Sequence, residues 1–171
     1  MDQTRRQLLA GLGTAAGAAV AGCTSFLSGV GGGANGQFML STLDVGGSDG
    51  STIPHRPAGE PALLDFFATW CPPCRPQMAE LRVIDDRFSN LHMISISWEE
   101  SASAIKGFWQ ELDGTWPVAQ DTDLKIAQAY GVVGRLPTKI LLDRTGEEQW
   151  RHTGLSGAAS IAEKVTQVVD G

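Results

Sequence analysis

Cys71 and Cys74 stand three positions apart in Trp70-Cys71-Pro72-Pro73-Cys74, where the apolar run from Ala62 to Ala68 gives way to a helical pattern. At i and i+3 on one helical turn the two sulfurs share a side and lie within disulfide reach. A ring so small removes little entropy from the unfolded chain, so reversible exchange explains the pair better than a structural staple. Cys71, at the helix start, faces unsatisfied N–H groups and the positive end of the helix dipole, which favour a thiolate and make it the expected attacking sulfur. Cys74, one turn in, is the expected resolving thiol. Pro72 and Pro73 suit a first helical turn, where a missing N–H has no intrahelical partner to lose. Neither offers the Cys71 sulfur an N–H or a cation, which points to a reducing dithiol rather than a strongly oxidising one.

Asp65 lies inside Leu63-Leu64-Asp65-Phe66-Phe67. A carboxyl there is expected to be held from water, to have a raised pKa and so to be able to shuttle a proton. A carboxyl that only hydrogen-bonds in the core is the alternative. Trp70 offers a substrate an apolar contact beside the dithiol, or lids the core. Arg75 either favours the Cys71 thiolate or is an ordinary solvated arginine at a helix start. Trp98, Trp109, Trp116 and Trp150 read as packing residues.

The elements that must hold these residues alternate along the chain. Phe38 to Leu43 reads as a strand, followed by a turn rich in Gly, Ser and Asp. Ala62 to Ala68, apolar on both alternating faces, reads as a central strand covered on both sides. A helix from Pro73 to about Arg87, a strand from Met93 to Ser97, a helix from Ser101 to Leu112, a short strand near Pro117 to Ala119 and a helix from Asp123 to Tyr130 follow. Lys139 to Asp143 and Gln149 to His152 read as a hairpin, and Ala158 to Val169 as an amphipathic helix. The class is α/β, and 171 residues suffice for one sizeable core after a leader is removed.

The Trp-Cys-Pro-Pro-Cys motif after an apolar strand, with Gly134-Arg135-Leu136-Pro137-Thr138 leading into a hairpin, resembles the thioredoxin superfamily over about residues 37–171. The wording Ala68-Thr69-Trp70-Cys71-Pro72-Pro73-Cys74, a strand–helix insertion between Ser101 and Asp121 and the leader described below resemble its membrane-attached TlpA/ResA branch. The resemblance implies a three-layer α/β/α fold with a mixed central sheet. It implies a cofactor-free thiol-disulfide oxidoreductase whose partners are protein disulfides, apocytochrome c in cytochrome c maturation among them, and a membrane electron donor. It also implies that Pro137 is cis and faces the dithiol, with Arg135 and Leu136 shaping substrate choice as an extended substrate pairs with the Leu136 backbone; otherwise Pro137 is an ordinary proline at a strand start. Asp65 matches the buried acid of thioredoxins, and the resemblance implies that it lies near the resolving cysteine and helps deprotonate Cys74 as the mixed disulfide resolves. Many TlpA and ResA relatives are neutral there and use a glutamate after the following strand, at Glu100 or Glu99 here; the apolar surroundings of Asp65 favour the aspartate.

The first 22 residues carry Arg5-Arg6 and a weakly apolar stretch from Leu8 to Val20, shorter than the roughly 20 residues a spanning helix needs. With small residues before Cys23, they resemble a twin-arginine lipoprotein leader, cleaved so that Cys23 carries lipid at the outer face of the cytoplasmic membrane. An uncleaved anchor or a cytosolic chain with an unusual start is the alternative. Residues 23–36 would then be a lipid-anchored, Gly-rich tether, reaching roughly 20 Å on average, and 37–171 the folded domain. Loss of Asp2, Arg5 and Arg6 leaves 18 acidic against 11 basic residues, a formal charge of −7, which excludes nucleic acid as a natural partner. With four lysines and scattered acids, the surface suits solubility, including in high salt.

The rival class is a thioredoxin-fold copper-binding chaperone using the CxxC thiolates. A zinc site needs four ligands, and His55, His92 and His152 stand at no metal-ligand spacing, so no metal is expected. A redox-inert scaffold would leave the Trp-Cys-Pro-Pro-Cys sequence unexplained.

Overall fold

The structure, a computed structural model, describes residues 36–171. Arg5, Arg6, Cys23 and all of the tether before Gly36 lie outside the described residues. In chain order the strands are β1 (Met39–Thr42), β2 (Asp44–Val45), β3 (Ser48–Asp49), β4 (Thr52–Pro54), β5 (Ala62–Phe66), β6 (His92–Ser97), β7 (Val118–Gln120), β8 (Thr138–Leu142) and β9 (Glu148–Thr153). The helices are α1 (Cys74–Arg87), α2 (Ala102–Glu111), α3 (Lys125–Ala129) and α4 (Ala158–Val169). The region expected as a turn before Ala62 instead holds three short strands. Two form their own ribbon, β2 with β3, and β4 lines the sheet edge.

Every residue of β5 is buried, as its unbroken apolar run requires of a strand covered on both faces. The main sheet runs β4-β1-β7-β6-β5-β8-β9. It is mixed: β5, β6 and β7 are parallel, while β8, β9, β1 and β4 pair antiparallel to their neighbours. From β5 to β6 to β7 the chain steps in one direction, and crossovers of one hand put α1 and α2 on the same face. There, with α4, they bury Leu63, Phe67, Met78, Leu81, Ile105, Trp109 and Ile161. The connection from β7 back to β8 carries α3 onto the opposite face, over Leu64, Phe66, Ile94 and Ile140. This is the thioredoxin-like three-layer α/β/α architecture, with α2 and β7 as the strand–helix insertion.

Helix α1 buries Cys74, Gln77, Met78, Leu81 and Ile84, the spacing of one helical face. Pro76 is tolerated within the first turn, where its N–H would have had no intrahelical acceptor. Ser101 caps α2 by accepting from the Ala104 N–H at 3.2 Å. The Glu80 carboxylate of α1 accepts the Ala158 N–H at 2.6 Å, so one helix fixes the start of another.

The insertion is locked by aromatic packing. Trp109 and Trp116 are buried with ring centroids 5.1 Å apart, and the Trp109 Nε1–H donates to the Trp116 carbonyl at 3.1 Å. Gly114 passes directly over this indole, and a Cβ there would come within 2.6 Å of Trp109 Cδ1. Gly114→Ala is therefore expected to destabilise the fold by about 1–3 kcal/mol, as overpacking of a closed core does. Urea unfolding checks this, and an unchanged midpoint would show that the Trp109 pocket yields freely.

Candidate active site

The site is assembled at the end of β5. Beyond Phe66 the chain leaves the sheet, the Cys74 N–H donates to the Cys71 carbonyl at 3.1 Å, and α1 begins at Cys74. Cys71 thus lies two residues before the helix cap, Pro73, rather than within the helical turn. The two cysteines form a disulfide with Cα atoms 5.4 Å apart, and both are buried. Trp70 beside them is 64 % exposed, so it is an apolar surface next to the disulfide and not a core lid. Arg75 turns to α2, where it pairs with Glu111 and lies over the Phe108 ring at 5.5 Å.

The segment leading into the cysteines is clamped from the chain just beyond β6. The half-buried Glu99 carboxylate accepts the Thr69 N–H and the Thr69 hydroxyl, each at 2.7 Å, and the Ser97 hydroxyl at 3.2 Å. Glu100 is exposed, and its backbone carbonyl accepts the Ala102 N–H at 3.1 Å and Gln120 Nε2 at 3.3 Å. Of the two adjacent glutamates, Glu99 touches the dithiol segment.

Alternation along β5 sends Leu63, Asp65 and Phe67 to the sheet face that carries Cys71 and Cys74. Asp65 is 2 % exposed. It stands between Ser95 of β6 and Lys139 of β8, its register partners on either side. The indole Nε1–H of Trp116 can only donate, and it donates to Ser95 Oγ at 2.9 Å. The Ser95 hydroxyl hydrogen is thereby directed at Asp65 Oδ2, 2.8 Å away. Asp65 Oδ1 accepts no hydrogen bond among the described residues. Burial pushes the Asp65 carboxyl up to about 6, against the opposing Ser95 hydrogen bond and the Lys139 charge. The same burial brings Lys139 down to about 8, with Asp65 opposing. A carboxyl in this state can take up or release a proton near neutral pH.

The Leu136–Pro137 bond is cis. Thr138 pairs with Phe66, which puts Pro137, one residue earlier, at the end of the sheet where the disulfide lies. Leu136 packs against the cluster that contains both cysteines, and Arg135 is exposed. Among the described residues no group of three or more His, Cys, Asp or Glu could hold a metal ion, and no helix is long and apolar enough to cross a membrane.

Sequence reasoning alone did not single out Ser95, Gln77 or Lys139. The signal for Lys139 was a lone cation at an inward position of the apolar strand Thr138-Lys139-Ile140-Leu141-Leu142, every residue of which is buried. Ser95 alternates with Ile94 and Ile96, a pattern that reads equally well as a solvated strand face.

A family model described as Redoxin matches residues 41–166. The chain is 33% identical over 91 residues to the thiol-disulfide oxidoreductase ResA of Bacillus cereus, a match covering 52% of each chain. It is 28% identical over 135 residues to the ResA of Geobacillus thermodenitrificans, covering 77% of this chain and 74% of that one. The crystal structure of StoA from Bacillus subtilis superposes with a TM-score of 0.66 at 20% identity, covering 77% of this chain and 97% of that one. The chain spans about half the length of the first curated relatives it matches.

The raised Asp65 pKa has a stability consequence of definite sign. A carboxyl at about 6 in the folded state and 3.8 in the unfolded state contributes stability that is full below about pH 4 and lost as pH rises through 6. Asp65→Asn is therefore expected to be more stable than the parent at pH 7, by on the order of 1–3 kcal/mol, with the gap narrowing toward pH 4. Urea unfolding of both proteins across that range reads it out. A constant gap would show that burial does not set the Asp65 proton.

Proposed function

This chain belongs to the Redoxin family, and on that premise we propose that it is an extracytoplasmic thiol-disulfide oxidoreductase that reduces protein disulfides through Cys71 and Cys74. One observation carries the reading: a disulfide-bonded Trp-Cys-Pro-Pro-Cys pair at the end of the central strand, at the same end of the sheet as a cis proline and on the same face as a buried acid. The likeness to proteins named thiol-disulfide oxidoreductase ResA supports it.

In the reduced state the Cys71 thiolate attacks a substrate disulfide, forming a Cys71–substrate bond and releasing the first substrate sulfur as a thiolate. Cys74 then loses its proton to Asp65 and attacks Cys71. The Cys71–Cys74 bond forms, the substrate leaves with both its sulfurs reduced, and the disulfide present in the structure is the product. Two electrons from a membrane donor restore the dithiol. Trp70, Leu136 and Arg135 bind the substrate, whose extended backbone pairs beside Pro137. Glu99 positions the Thr69–Cys71 segment, and Asp65 rather than Glu100 takes the proton.

Residues 1–22 serve as a twin-arginine leader, Cys23 as the lipidated residue, 23–36 as the tether and 37–171 as the catalytic domain, which puts the dithiol at the outer face of the membrane. Apocytochrome c is the substrate that this address and the ResA likeness favour.

Cys74→Ser in cells is expected to accumulate mixed disulfides on Cys71 that reducing agent dissolves and that a Cys71→Ser, Cys74→Ser double variant lacks. If the single and double variants give the same adduct pattern, the exchange reading fails. Cys23→Ala is expected to move the protein from the membrane fraction to the soluble fraction. Retention at the membrane would rule out the lipid anchor.

A further inference from the structure

Arg75 is the one charged residue between Phe66 and Ala79, the stretch that carries both cysteines, and it lies in the first turn of α1 directly after Cys74. A cation in that turn would stabilise a Cys71 thiolate. The structure turns it elsewhere. The Arg75 guanidinium pairs with the carboxylate of Glu111, the last residue of α2, and its Cζ lies 5.5 Å from the centroid of the Phe108 ring. Phe108 is buried and stacks on Phe67 with centroids 5.5 Å apart, in the cluster that contains both cysteines. The pair is the first of three polar contacts between α1 and the end of the insertion helix. Arg82 pairs with Asp113 at 3.2 Å, and the Thr115 hydroxyl donates to Asp85 at 2.7 Å. Arg75 is thus held by a charge and by a ring face, both from α2.

We propose that Glu111 is a positioning residue for the dithiol: it draws the Arg75 guanidinium onto α2 and neutralises it, so that Cys71 ionises without help from a neighbouring cation and the pair stays reducing. This rests on the exchange reading above. A thiolate stabilised by a nearby positive charge forms at lower pH and favours the dithiol over the disulfide, which makes the couple more oxidising. An arginine paired with a carboxylate brings no net charge. Unpaired, it would add to the positive end of the helix dipole, since both act on Cys71 with the same sign. The other charges around the dithiol come from other elements: Asp65 from β5, Lys139 from β8, Glu99 beyond β6 and Arg135 before Pro137. A change at Glu111 removes none of them. The Arg75 and Glu111 side chains are 41 % and 62 % exposed, so solvent screens the effect and keeps it modest and sensitive to salt.

The test uses the reduced full-length protein. Iodoacetamide alkylation across pH, with the modified cysteine identified by mass spectrometry, gives the pH at which Cys71 becomes a thiolate. Glu111→Gln is expected to lower that midpoint by about half a pH unit at low salt. In equilibration with glutathione, the dithiol passes two electrons and two protons to glutathione disulfide, which becomes two glutathione thiols. That equilibrium should favour the dithiol about threefold more in Glu111→Gln than in the parent. In about 1 M KCl the two proteins should agree. In an Arg75→Gln background the Glu111 substitution should move nothing. Asp113→Asn, which removes a carboxylate from the next contact along α1, should keep the parental midpoint. An unmoved midpoint in Glu111→Gln, a shift that survives in Arg75→Gln or in high salt, or an equal shift in Asp113→Asn overturns the proposal while leaving dithiol exchange intact. A parental Cys71 that shows no thiolate reactivity at any pH overturns the exchange reading, and this inference with it.

Discussion

A carboxyl buried in the middle of three hydrogen-bonded strands is the constraint around which the site is arranged. An ionised group in such a place is costly unless it is paired and hydrogen-bonded, and the groups that act on Asp65 come from the strands on either side of it, β6 and β8. Ser95 supplies a hydrogen bond from one side, fixed in direction by the Trp116 indole. Lys139 supplies charge from the other. Trp116 belongs to the insertion, so the packing of Trp109, Gly114 and Trp116 is part of what orients the acid. Satisfaction is incomplete, since among the described residues Asp65 Oδ1 has no hydrogen-bond donor. A partly satisfied carboxyl that burial raises to about 6 has the property proton transfer near neutral pH requires.

The sulfurs are placed by what surrounds this acid. The end of β5 delivers Cys71, the Glu99 carboxylate fixes Thr69 just before it, and α1 begins at Cys74. Gln77, one turn on, ties that helix to Lys139 and to the loop before α4. Dithiol segment, Pro137 strand and acid are thus linked through side chains rather than only through the sheet. Trp70 and Arg135, by contrast, are exposed and meet little of the protein.

Much of this was legible in the sequence because its signals were local. The unbroken apolar run of β5, the helical spacing from Cys74 to Ile84 and the Trp-Cys-Pro-Pro-Cys motif each specify their own structure within a few residues. The strands β2, β3 and β4 were not legible: two or three residues carry no period, and they form because nearby segments offer backbone partners. The polar partners of Asp65 were hidden for a related reason. Register, not composition, puts Ser95 and Lys139 beside it, and a polar residue alternating with apolar ones normally faces water. Glu99 and Glu100 differ by one position and therefore point to different surroundings, which pattern alone could not assign.

The account turns on whether the acid under the dithiol titrates where burial puts it. Selective carbon-13 labelling of aspartate, with the Asp65 carboxyl resonance assigned by its loss in Asp65→Asn, follows that proton directly in the oxidised protein. A midpoint near 6 is the expected result. A midpoint near 3.8, the ordinary aspartate value, would mean that water reaches the carboxyl and that Asp65 cannot be the proton acceptor of this site.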